Sequence, residues 1–219
     1  MPERVIVFDV NETLWDLAGL DPLSTHVFGA ARARAEWFEQ VLNLALTSAL
    51  VGTFDDFTSL GNAALAMVAA KRGMSLKEEH IARIAAHIVH LPAHPDAHAA
   101  LERLQRADFR LTVLINSTAA VVETQLDHAG LTPFFDVILS VDAVKRFKPA
   151  LEPYRFAASR VGMPTSRLRM VAVHNWHITG AMAAGCKAAF VARGRHIQSA
   201  GSTTGRHRTH AGSRCRSNR

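Results

Sequence analysis

The chain has 219 residues, of which 48% are hydrophobic and 20% charged, with a formal net charge of +6. That is enough for one large domain or a core with an inserted module, with the composition of an ordinary globular protein. No apolar run approaches the ~20 residues a bilayer span needs, which excludes a transmembrane reading.

The charge is unevenly placed. From Arg193 onward there are seven Arg and no Lys, Asp or Glu, and subtracting those seven from +6 leaves the rest at −1. A nearly neutral body lacks the basic face that a nucleic-acid-binding domain presents. The two cysteines, Cys186 and Cys215, stand one after a helix-like run and one in the tail. A disulfide framework is not expected, and a reducing cytoplasm fits. No basic-then-apolar leader precedes the first apolar run, so no secretion signal is expected.

Val5-Ile6-Val7-Phe8 predicts a buried strand running straight into Asp9. Open α/β sheets place their chemistry at such strand ends. An unpaired buried carboxylate is expensive, so Asp9 needs a cationic partner or a cavity. At this point it reads either as a nucleophile or as the cap of the following turn.

Helical patterns follow. Asp21-Pro22 starts one helix, and Glu36 to Val51 carries a helical apolar stripe. A third helix starts at Asp55 or Asp56 and ends near Gly73, and a fourth runs from Ser75 through Ile88. Residues 15–92 thus form a helical insert after the first strand. Leu91-Pro92-Ala93-His94-Pro95 punctuates the return. Helices are then predicted over Ala97–Arg106, Ala119–Ala129, Glu152–Val161 and Ile178–Ala184, with strands over Leu111–Ile115, Val137–Val141, Leu168–Val173 and Lys187–Ala192. This alternation implies an α/β fold, a Rossmann-like parallel sheet with helices on both faces. The core comprises 1–14 and 93–194. The tail over 195–219 is basic, has little to bury and should be disordered. Such a tail either binds RNA or acidic surfaces weakly, or is a frameshifted C-terminus.

Polar residues gather at the predicted strand ends. Asp9, Asn11 and Thr13 follow the first, Asn116, Ser117 and Thr118 follow Ile115, Lys148 follows the third, and His174, Asn175, Trp176 and His177 follow Val173. A doubly wound sheet brings all of these to one edge. Lys148 is a natural partner for Asp9, because an ammonium within ~4–6 Å keeps a carboxylate ionised. His87, His90, His94 and His98 have near-helical spacing, but Pro92 and Pro95 interrupt it, and no metal site is expected there.

FDVNETL, LINST and RFKP, with the helical insert after the first of them, resemble the motifs of the haloacid dehalogenase superfamily. Within it the chain is most similar to the (S)-2-haloacid dehalogenases, through SVDAVKRFKP followed by Tyr154 and the Asn-Trp of HNWH. The resemblance implies that the insert is a cap and that Asp9 is a nucleophile oriented by Thr13 and Lys148. It implies that Asn11, Asn116, Ser117, Tyr154, Asn175 and Trp176 serve substrate or halide. Superfamily phosphatases carry an Asp where Asn11 stands, as a proton donor, and hold Mg²⁺. Asn11 cannot donate as a carboxylic acid does, and a halide needs no proton to leave. The implied enzyme is a cofactor-free, metal-free hydrolase that displaces halide from a 2-haloacid. It would be a cytoplasmic protein with a small-molecule substrate and a possible homodimer, without membrane or nucleic-acid partners. A phosphatase of the same superfamily, for which Mg²⁺ would be the cofactor, and a catalytically impaired binding protein remain as alternatives.

Three positions depart from the dehalogenase pattern. His177 stands where those enzymes have an Asp that acts on the hydrolytic water, and a neutral imidazole can serve as the base. Phe38 follows Trp37 where they have an Arg. Ile115 replaces a small polar residue.

Overall fold

The computed structural model describes residues 4–193. The tail over 195–219, with Cys215, lies outside the described residues. Five strands form one sheet: β1 (Arg4–Phe8), β2 (Phe109–Ile115), β3 (Val137–Ser140), β4 (Leu168–Ala172) and β5 (Lys187–Phe190). Their order is β3-β2-β1-β4-β5, and every neighbouring pair is parallel.

Parallel neighbours require crossovers, and four helices supply them: α5 (Ala97–Arg106), α6 (Ala119–His128), α7 (Leu151–Val161) and α8 (Asn175–Ala183). Side chains alternate along a strand, so β1 serves both faces. Ile6 and Phe8 join a core with Leu101 of α5 and Val122 and Leu126 of α6. Val5 and Val7 join a second core with Tyr154, Ala157 and Val161 of α7 and Ala181 of α8. The strands to one side of β1 are β2 and β3, and those to the other are β4 and β5. The switch in winding therefore falls at the C-terminal end of β1, where Asp9 stands.

Between β1 and α5 lie α1 (Asp21–Phe28), α2 (Ala33–Val51), α3 (Phe57–Lys71) and α4 (Glu78–Ile88). Pro22 sits in the first turn of α1, where its missing N–H costs nothing. Gly52, at φ 82°, ends α2 in the left-handed region. The Asp56 carboxylate accepts the Ser59 N–H at 2.9 Å and starts α3. The two ends of this insert meet in a short neck. Trp15 and Ala93 form an antiparallel bridge, the Asp16 N–H donates to the Pro92 carbonyl at 3.0 Å, and the His94 N–H donates to that of Leu14 at 2.7 Å.

Four helix starts differ from the sequence expectation: α2 begins at Ala33, not Glu36, and α7 at Leu151, not Glu152. The fourth helix begins at Glu78, not Ser75, and its first turn holds Glu78 and Glu79, which suit the positive end of the helix dipole. The last begins at Asn175, not Ile178. The Asn175 side-chain oxygen accepts the Trp176 N–H at 2.7 Å, drawing Trp176 and His177 into the first helical turn. Strands β3 and β4 each end one residue early and β5 ends two early. After β3 the chain turns at once into a 3₁₀ helix over Val141–Ala143, capped by the Ser140 hydroxyl, which accepts the Asp142 N–H at 3.1 Å. A 3₁₀ turn over Leu17–Leu20 has no counterpart in the expected elements. Among the described residues no helix is long and apolar enough to cross a membrane.

Candidate active site

Asp9 is fixed first by its backbone, whose N–H donates to the Val171 carbonyl at 2.9 Å and extends the β1–β4 pairing by one residue. Its buried carboxylate then meets donors from three other segments. The Lys148 ammonium donates to Oδ1 at 2.9 Å. The Thr13 hydroxyl donates to Oδ2 at 3.0 Å, and Nδ1 of His174 lies 3.2 Å from the same oxygen. Burial alone would raise the Asp9 pKa, but the Lys148 charge and the His174 hydrogen bond outweigh it and hold it well below the usual carboxylate range.

Each donor is itself held. Thr13 accepts the Val173 N–H at 3.1 Å, which ties the turn after β1 to the end of β4. Lys148 is 1% exposed, and its ammonium also donates to the Leu114 carbonyl at 2.7 Å. The Lys148 backbone N–H donates to the Asn116 side-chain oxygen at 3.2 Å. Burial pulls the Lys148 pKa below its ordinary value, opposed by the Asp9 charge. Pro149, which follows Lys148, packs against Gly180 of α8. A Cβ at Gly180 would lie 2.5 Å from the Pro149 Cβ and 2.6 Å from its carbonyl oxygen, so only glycine fits.

The other nitrogen of His174, Nε2, lies 3.0 Å from Oε2 of Glu12. Both ring nitrogens thus face carboxylate oxygens, which only accept, so the ring donates from both and is an imidazolium. Burial acts against that charge, but the hydrogen bonds to Asp9 and Glu12 prevail and raise the His174 pKa. Glu12 takes φ 60°, a left-handed conformation uncommon for a residue with a side chain, and its Oε1 lies 3.8 Å from Nη1 of Arg34 on α2.

His177 is fully buried, and Nδ1 lies 3.7 Å from Oδ1 of Asp9, beyond hydrogen-bond reach. Neither ring nitrogen has a hydrogen-bond partner among the described residues. Burial and the Lys148 charge push its pKa down to about 4, so the ring is neutral near pH 7.

A cavity of about 20 Å³ opens on Asp9, walled by Phe38, Leu42 and Phe57 from the insert and by Ile115, Asn116 and Trp176 from the core. Asn11 also lines it, and the buried Trp176 Nε1 has no hydrogen-bond partner among the described residues. Ser117 lines an adjoining, larger cavity instead. Of the other expected site residues, Thr13, Lys148, His177, Tyr154 and Asn175 do not line the Asp9 cavity. Tyr154 is buried behind His177 and donates its hydroxyl to the His177 carbonyl at 3.2 Å, and burial pushes its pKa up. Asn175 is exposed, with its side chain on its own helix start. Glu12 is absent from the expected set, although a second carboxylate three residues after Asp9 needs a cation, and His174 is the nearest available. Of the histidines at 87, 90, 94 and 98, three go separate ways: His90 donates to the Ala86 carbonyl, His98 sets its ring edge against Phe134, and His94 meets the Glu12 carbonyl. Among the described residues no group of three or more His, Cys, Asp or Glu side chains is placed to hold a metal ion.

The fold is that of a known family. Residues 3–173 match the haloacid dehalogenase-like hydrolases, and the chain belongs to that family. Among its relatives is (S)-2-haloacid dehalogenase 1 of Pseudomonas sp. strain CBS-3, 30% identical over 84% of this chain and 82% of that one. The L-2-haloacid dehalogenase of Xanthobacter autotrophicus superposes with a TM-score of 0.82 at 28% identity, over 87% of this chain and 78% of that one. The same Xanthobacter enzyme with chloropropionic acid covalently bound gives a TM-score of 0.82 at 27% identity, over the same shares.

Proposed function

We propose that the chain hydrolyses 2-haloacids to 2-hydroxy acids through an ester on Asp9. The observation that carries this reading is the buried Asp9–Lys148 pair, 2.9 Å apart, at the foot of a cavity that sets Phe38, Leu42, Phe57 and Ile115 opposite a few polar groups. An ionised carboxylate held by donors at its oxygens and facing apolar walls is suited to attack carbon. The Xanthobacter relative with chloropropionic acid covalently bound supports the same step.

In the first half, an Asp9 oxygen forms a bond to the α-carbon while the carbon–halogen bond breaks, and the halide leaves with the bonding pair. In the second half, water adds to the Asp9 carbonyl carbon, gives up a proton, and the 2-hydroxy acid departs from the regenerated carboxylate. His177, neutral and unbonded at 3.7 Å, is the base for that water. Thr13, Lys148 and His174 orient Asp9. Asn11, Asn116 and Trp176 face the halide or the substrate, and backbone N–H groups from Ser117 onward, at the start of α6, receive the substrate carboxylate. Tyr154 and Asn175 act indirectly, by holding the start of α8. Under this reading α1–α4 act as a cap that excludes bulk water. The enzyme is cytoplasmic, works without metal or organic cofactor, needs neither membrane nor nucleic acid, and is compatible with a homodimer.

The test is halide release from (S)-2-bromopropionate with and without Mg²⁺, for wild type and Asp9→Asn. Metal-independent bromide release that Asp9→Asn abolishes is the expected result. Mg²⁺-dependent phosphate release from p-nitrophenyl phosphate, with no bromide released, would replace this reading with the phosphatase one.

A further inference from the structure

A second cavity, of about 100 Å³, lies between the helical insert and the core. Asn11, Phe38 and Phe57 line both it and the Asp9 cavity, so the second begins where the first ends. Its walls include Val41 and Leu65, with Ile81, Ile84 and Ile88 from α4, and no charged side chain lines it. Trp37, also in the wall, has its indole N–H satisfied by the Gly61 carbonyl at 2.9 Å. Its polar lining side chains are Asn11, Ser117, Thr58 and Asn62. Thr58, Asn62 and Ala85 are exposed, and they mark the solvent rim.

The Asp9 cavity, at about 20 Å³, has little room beyond the reacting carbon and its halogen. A substituent on that carbon has to go elsewhere. An uncharged pocket with few polar partners is a poor water site and a good hydrocarbon site. Phe38 and Phe57 contribute rings to both cavities, which makes the passage between them apolar. This cavity is several times the size of the one at Asp9 and has room for a short hydrocarbon chain.

We infer that this cavity takes the hydrocarbon chain of the substrate, making the enzyme selective for 2-haloacids with an extended alkyl substituent over the smallest ones. The inference rests on the 2-haloacid reading above and adds the substrate class. Asn11, Phe38 and Phe57 become the specificity-determining residues at the junction.

The experiment measures kcat/KM by bromide release for unbranched (S)-2-bromoalkanoates of three, four, six and eight carbons. It is accompanied by calorimetric titration with hexanoate, which binds but cannot react. Wild type should gain about fourfold per methylene up to six carbons, on the order of 50-fold in all. Ala85→Trp and Val121→Phe, which fill the cavity from α4 and α6, should each bring the six-to-three-carbon ratio close to one and weaken hexanoate binding. A flat or falling chain-length series with bromide still released overturns the inference and leaves the 2-haloacid reading standing. No bromide release from any member overturns that reading, and hexanoate then decides the cavity alone. Binding that the two variants weaken supports a hydrocarbon site, and no binding overturns it.

Discussion

His174 is held between Asp9 and Glu12, with Nε2 3.0 Å from the Glu12 carboxylate and Nδ1 3.2 Å from that of Asp9. The charge on the imidazole therefore depends on a residue outside the expected motif set. Glu12→Gln removes one of the carboxylates that raise the His174 pKa, so the alkaline limb of the kcat/KM profile should move to lower pH. Glu12→Asp should restore part of the shift. A pH series on the three proteins checks this. The linked stability has a definite sign: the His174 contribution is complete below its unfolded pKa of about 6.5 and is lost as pH rises through its raised folded value. Asp9 acts at the other end, since its contribution is present above about pH 3.9 and lost as pH falls through its depressed folded value.

His177 predicts an acid sensitivity of its own. Its folded pKa of about 4 lies below the unfolded value of about 6.5, so the unfolded chain binds the extra proton first and stability falls as pH drops from 6.5 to 4. The loss is on the order of 3 kcal/mol by the lower limit. Thermal melts of wild type and His177→Asn at pH 7 and pH 4.5 should show a smaller acid shift in the variant, after Asp9 is allowed for.

The same side chain separates the two chemical steps. His177→Ala should leave ester formation on Asp9 intact while lowering turnover by a factor of about 10²–10⁴, the usual range for a lost general base. Intact-mass spectrometry after mixing with (S)-2-bromopropionate should find the adduct accumulating in the variant. His177→Asp, which supplies a carboxylate at that place, should accelerate adduct loss relative to wild type.

Lys148→Met leaves the Asp9 carboxylate buried without its main cation. Breaking a buried pair from one side costs about 3–5 kcal/mol, so denaturant melts should show a large loss of stability together with loss of halide release. Asp9→Asn in the same background should recover part of the stability and none of the activity.

Gly180→Ala tests the contact between α8 and the segment carrying Lys148. The added methyl group meets Pro149 at 2.5 Å, an overpacking that costs about 1–3 kcal/mol. Activity should fall as well, because either α8 with His177 or Lys148 with Pro149 has to shift. Gly61→Ala, where the nearest heavy atom is 3.8 Å away, is the control for a tolerated change.

Much of this was legible in the residues. Short apolar runs ending in Asp9, Asn116 and His174 announce strands whose ends carry polar groups, and a parallel sheet brings such ends together. The Asp55-Asp56 pair marks a helix start through local chemistry that needs no tertiary information, although only the structure picks Asp56 as the cap. The rest depends on contacts distant in sequence. Periodicity shows that Phe38, Leu42 and Phe57 lie on apolar faces, but not that those faces wall the Asp9 cavity. Residue type alone does not separate Tyr154, which supports His177 from behind, from Trp176, which faces the cavity. Glu12 reads as a surface charge in a turn until His174, 162 residues later in the chain, is found beside it.

The neck between Trp15 and Ala93 bears on how reactants come and go. Everything from α1 to α4 hangs from two adjacent chain crossings joined by a few main-chain hydrogen bonds. Swinging that lobe outward would flex those crossings and part Arg34 from Glu12 and Gln125 from the Ile88 carbonyl, uncovering Phe38 and Phe57 while Asp9, Thr13 and Lys148 stay anchored to the strands. Entry and exit would then leave the bonds among Asp9, Thr13 and Lys148 in place and disturb the charged assembly only where Arg34 meets Glu12.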